Sequence, residues 1–170
     1  MRIKKTSETR PLSARVLNVN SGSQTDTYSC DYLNADAITI RLSTSQEITG
    51  TTDTKISFDT VVNQAGTNLT LDTTNNQVKI GKGISYVVVS VQLTFNSITN
   101  SAIRRVSIYK NSSTVARGMG VLGANFSSIN CVSFLIPVEE NDTISFYSRN
   151  DSASTIYASQ YDTYATITAI

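Results

Sequence analysis

The chain has 170 residues, enough for one domain with a substantial core and a short appendage. Its 14 lysines and arginines stand against 13 aspartates and glutamates, a formal net charge of +1, so no basic field points to nucleic acid and no acidic one to a cationic partner. There is no histidine, which excludes imidazole catalysis and His-liganded zinc. Serine and threonine make up roughly a quarter of the residues, a bias that suits strands with polar outer faces. Met1–Lys5 opens as a secretion leader would, but Thr6–Arg15 is polar, so neither a signal peptide nor membrane insertion is expected.

Residues 1–36 differ from the rest and are expected to form an attachment segment. Ser21-Gly22-Ser23-Gln24 reads as a turn, and Thr25-Asp26 can cap a short helix over residues 27–34, with Tyr28 and Tyr32 one turn apart. From Ala37 onward the pattern is of strands and turns at the spacing of a sandwich. Strands are predicted at 37–42, 55–62, 69–72, 77–80 and 84–95, then at 104–109, 131–138, 143–148, 155–158 and 164–170. Turn residues divide them, notably Lys110-Asn111-Ser112 and Glu140-Asn141-Asp142.

The long strand 84–95 is the most telling. Val87, Val89, Val91, Leu93 and Phe95 fill one face at period two, while Tyr86 and Val88 put bulk on the other beside Ser90. A strand with one wet face alternates more cleanly, so the second face is expected to be covered by another copy of the chain. Cys30 and Cys131 lie far apart without C-x-x-C spacing and read more naturally as buried thiols than as a disulfide.

Each candidate site in the sequence also has a plain structural role. Gly118-Met119-Gly120-Val121-Leu122-Gly123 satisfies G-x-G-x-x-G, but no helical pattern follows, so 118–130 is expected to be a glycine-rich loop without a nucleotide. Asp151, Asp162 and Glu139-Glu140 lack calcium-loop spacing and read as turn acids; no cofactor or metal is expected. Tyr157, Gln160, Tyr161, Asp162 and Tyr164 cluster near the C-terminus, and Asn125 lies in the predicted loop. Aromatic rings beside amides and acids are the chemistry of saccharide binding, although these tyrosines can equally pack the last strand.

Ten strands in this order resemble the C1q/TNF-like jelly roll over residues 37–170. Phe58-Asp59-Thr60-Val61-Val62-Asn63 resembles the family's F-x-x-V-x-x-N stretch, and Gly83-Ile84-Ser85-Tyr86 its G-x-Y-x-F strand with one extra residue. Ser107–Ser112 resembles the L-x-K-N-G hairpin with Ser112 in place of glycine. Residues 134–144 resemble L-x-L-x-x-G-D-x-V, with Asn141 in the glycine place. The resemblance implies an all-β, ten-stranded antiparallel sandwich that assembles as a homotrimer, with Tyr86, Val88, Ser90 and Ile167 as candidate interface residues. Residues 17–34 are similar to segments of phage tail and fibre proteins that open a small trimeric helix before a head domain. Together these imply a non-enzymatic, trimeric fibre head or virion-surface protein, assembled in a host cytoplasm. It would bind a bacterial surface glycan or protein and join other virion proteins through residues 1–36. The alternative is a capsid or baseplate decoration protein that cements its neighbours; a glycan-processing enzyme is the third reading, requiring a groove with two carboxyl groups.

Overall fold

The computed structural model describes residues 35–96, 102–122, 127–133, 135–151, 156–160 and 162–170. The expected N-terminal helix, with Cys30, lies outside them. Among the described residues every regular element is a strand, and the strands form two antiparallel sheets. The first has β2 (Gln46–Ile48), β13 (Ile156–Ala158), β7 (Tyr86–Asn96), β14 (Tyr164–Ala169), β1 (Ala37–Arg41) and β4 (Thr60–Ala65) in that order, and β10 (Ser127–Val132) and β11 (Ile136–Pro137) also pair with β7. The second runs β5 (Leu69–Asp72), β6 (Gln77–Ile80), β12 (Thr143–Asn150), β8 (Ala102–Lys110) and β9 (Ser113–Leu122), with β3 (Thr54–Lys55) also on β12.

The apolar row of β7 explains the sandwich. Val87, Val89, Val91, Leu93 and Phe95 are all fully buried and meet Val106, Ile108, Ile144 and Phe146 from the second sheet. Period-two alternation puts the whole row on one side, as the sequence predicts. Phe58 and Phe146 meet edge to face, with ring centroids 5.3 Å apart, an arrangement that matches positive ring edge to negative ring face.

Three expected elements are drawn differently by the structure. The predicted strand 55–62 is two, because the chain changes sheets within it. Ile56 N donates to Phe146 O at 2.8 Å on one sheet, Asp59 N to Arg41 O at 3.2 Å on the other, and the buried Ile56 and Phe58 plug the core between. The predicted strand 131–138 is interrupted at Ser133, whose hydroxyl and amide both bond Val89 at 2.8 Å. The predicted loop 118–130 is largely strand, since β9 runs to Leu122 and β10 begins at Ser127. Gly118, the first of the glycines that mimic a phosphate loop, serves close packing: a Cβ there would sit 2.5 Å from the Asn130 carbonyl oxygen.

Candidate functional site

The outward face of the eight-stranded sheet holds the residues that the sequence singled out on β7. Antiparallel register sets Gln92 opposite Tyr164, Ser90 opposite Thr166 and Val88 opposite Thr168. On its other side β7 sets Ser90 opposite Val132 and Tyr86 opposite Pro137. Tyr86 is 47% exposed, and Val88 and Ser90 are half-buried. Ile167 does not join them. It pairs with Val89 and is fully buried in the core, because it shares the inward phase with Ala165. The outward residues of this strand are Tyr164, Thr166 and Thr168, followed by Ile170, whose amide donates to Tyr86 O at 3.0 Å.

Exposed apolar side chains gather where β7 meets β10 and β11. Val132 is 62% exposed, Leu135 57% and Ile170 71%. A groove of about 460 Å³ continues the patch toward β9, lined by Val115, Ala116, Arg117, Val132, Ser133, Leu135, Ile136 and Pro137. None of these carries a carboxylate. Cys131, next to Val132 on β10, is a buried free thiol whose pKa burial pushes up.

The C-terminal cluster is assembled only in part. Tyr164 is exposed, and its hydroxyl reaches Gln92 Oε1 at 3.4 Å. Gln92 Nε2 donates to the Asp162 carbonyl at 3.2 Å, and Thr94 Oγ1 donates to the same carbonyl at 3.1 Å. Gln160 sits nearby, its amide donating to Ser45 Oγ at 3.3 Å. Tyr157 belongs to β13, paired with Asn96 and Glu47 in register. Tyr161 and Asn125 lie outside the described residues. Sequence reasoning missed Gln92 and also Arg41, which stands opposite Tyr164 on β1. The phase of Gln92 with Tyr86, Val88 and Ser90 was the available signal. Cross-strand neighbours such as Arg41 depend on register, and one sequence does not display it.

Among the described residues no three acidic or thiol side chains gather as a metal site requires. The carboxylates that depart from ordinary acidity are structural. At Asp142, burial opposes ionisation, but hydrogen bonds from Lys110, Asn111 and the Glu139 amide prevail and hold the carboxyl below its usual value. At Asp72 the Asn75 side chain, followed by Lys79, does the same.

No family model matches the sequence, and no curated protein matches it either. The fold does have relatives among solved structures. Murine APRIL superposes with TM-score 0.60 at 13% identity, covering 80% of this chain and 99% of that one. The Eiger TNF of S. frugiperda gives 0.55 at 10% identity, covering 80% and 91%. At such identities the likeness concerns fold, and the fold is the TNF-like jelly roll that the strand order resembles.

Proposed function

We propose that this chain is a non-enzymatic, homotrimeric binding protein, the head of a phage fibre or another virion-surface component, which attaches to a bacterial surface glycan or protein. One observation carries the assembly. Tyr86, Val132, Leu135 and Ile170 are exposed apolar residues on β7 and on the strands and segments beside it, next to an apolar groove under β9. Exposed clusters of this kind mark interaction surfaces. Sheet face and groove differ in shape, so copies joining face to edge make a head-to-tail contact, which closes into a ring when the rotation allows. Three equal sites would turn weak single contacts into useful avidity.

The virion setting rests on the resemblance of residues 17–34 to phage tail and fibre segments. The binding role is supported by the groove's lack of carboxylates, which leaves it without the acid pair that glycoside cleavage needs. Light scattering on the full chain is the first test, with a mass three times the 18.4 kDa of one chain expected. A stable monomer would overturn the assembly. Binding to bacterial cells separates attachment from a decoration role, since a cementing protein should bind none.

A further inference from the structure

The outward face of the six-stranded sheet carries a second arrangement, of which Arg117 alone also lines the groove assigned to assembly. Register aligns Lys55, Tyr147, Ser107 and Arg117 in one row across β3, β12, β8 and β9. The next row holds Arg149, Arg105 and Met119, and Tyr109 lies on the far side of Ser107. Neighbouring rows on one face stand about 7 Å apart, and four strands span about 14 Å, the footprint of a short oligosaccharide. The rings of Tyr109 and Tyr147 are 4.3 Å apart and tilted by 42°, with Lys55 Nζ 5.8 Å from the Tyr147 centroid.

The charges are unevenly placed. Residues 35–170 contain nine lysines and arginines against ten acids, yet this face has Lys55, Lys79, Arg105, Arg117 and Arg149 against Asp53, Asp72 and Asp151. Asp151 is shared: Arg149 Nε meets Oδ1 and Arg105 Nη2 meets Oδ2, each at 2.6 Å. Two guanidinium groups on one carboxylate leave a positive excess, and Arg105 Nε has no hydrogen-bond partner. The other ion pairs among the described residues are one to one, Lys79–Asp72 toward one edge of this face and Lys110–Asp142 at its end. Arg117 makes no salt bridge among the described residues, and its Nε donates to Ser107 Oγ at 3.2 Å.

We propose that this aromatic and cationic face binds an acidic saccharide, a sugar chain bearing carboxylates. The tyrosine pair offers an apolar platform to a sugar ring, and the arginines match a carboxylate with forked donors. Asp53, which accepts from Tyr109 Oη at 2.9 Å, and Asp151 add acceptors suited to hydroxyl groups. The same two acids disfavour a polyphosphate, whose closely spaced charges would meet them. A saccharide with isolated carboxylates and many hydroxyls fits both halves of the face. The inference deepens the binding role proposed above and rests on it.

The test is calorimetric titration of the full chain with oligogalacturonate, a neutral maltooligosaccharide and inorganic polyphosphate. The wild type should bind the galacturonate and not the neutral sugar. The pair R105Q/R149Q should bind about tenfold more weakly or worse, the loss expected when a charge-assisted hydrogen bond goes. The pair K55Q/R117Q, at residues away from the shared carboxylate, should also weaken binding and guards against misfolding of the first. Unchanged galacturonate affinity in both pairs would overturn this face as the site while leaving the binding role standing. Polyphosphate binding as tight as galacturonate would reduce the face to a general anion patch and overturn the ligand class. If neither saccharide binds the wild type, the acidic-saccharide proposal falls, while binding to bacterial cells decides the attachment role separately.

Discussion

Asn111, Ser112 and Asn141 occupy backbone conformations that glycine would adopt more cheaply. The β8–β9 hairpin closes through Asn111 (φ 46°) and Ser112 (φ 70°), and Asn141 stands at φ 72° before β12. Positive φ at both central residues is the two-residue hairpin turn whose twist matches the flanking strands, and its second place prefers glycine. Serine there pays a steric penalty that its exposed side chain does not recover. Ser112→Gly should therefore raise stability by about 0.5–1 kcal/mol, after the added flexibility of the unfolded chain is counted, seen as a higher urea midpoint at unchanged slope. Gly118 shows the reverse. Its alanine variant must push a Cβ against the Asn130 carbonyl oxygen, and a loss of roughly 1–3 kcal/mol is expected in the same measurement. The two glycine places that resemblance to the jelly-roll family marked, at 112 and 141, are thus physical: the positive φ persists where the glycine has been replaced.

Among the elements, β6, β8 and β12 are tied at one end by Asp142. Its Oδ2 accepts from Lys110 Nζ and from the Glu139 amide, both at 2.8 Å, its Oδ1 accepts from Asn111 Nδ2, and its carbonyl receives the Ile80 amide at 2.8 Å. The carboxyl is held below its ordinary value of 3.8, so the unfolded chain takes up a proton before the folded one does. Stability from this group is complete above about pH 3.8 and drains away as pH falls through the depressed value. Asp36, Asp59 and Asp72 share the direction, so acid unfolding should steepen below that pH. Asp142→Asn should cost on the order of 1 kcal/mol at neutral pH and flatten that limb in an acid titration followed by circular dichroism. Elements like β7 were legible because a buried row at period two is a local pattern. The split of 55–62 was not, since Lys55–Val62 alternates as one strand would and only the crossing between sheets divides it. The outer-face cluster of Arg105, Arg149 and Tyr147 was equally hidden, because more than forty positions separate Arg105 from Tyr147 and Arg149 and only the register brings them together.

At the scale of the whole molecule, the first and last of the described strands lie side by side. β1 pairs with β14, Ala37 opposite Thr168, and β14 lies between β1 and β7 near the middle of its sheet. Such non-local pairing makes folding slow and leaves apolar surface exposed until late. Apolar surface that stays exposed in the finished fold includes the residues Tyr86, Val132, Leu135 and Ile170. If sister chains cover it, assembly and stability are linked by mass action, and the melting temperature of the wild type should rise with protein concentration. Val132→Asp places a charge on the outward face of β10, away from the buried neighbours Ile129 and Cys131, so the fold of one chain should survive it. Within an assembled contact the same charge would be desolvated without a partner, a cost of several kcal/mol. The variant should sediment as a folded monomer whose melting temperature is lower and independent of concentration. A wild type that melts at one temperature across a hundredfold range of concentration, and a variant that behaves identically, would mean that this apolar surface is not where copies of the chain meet.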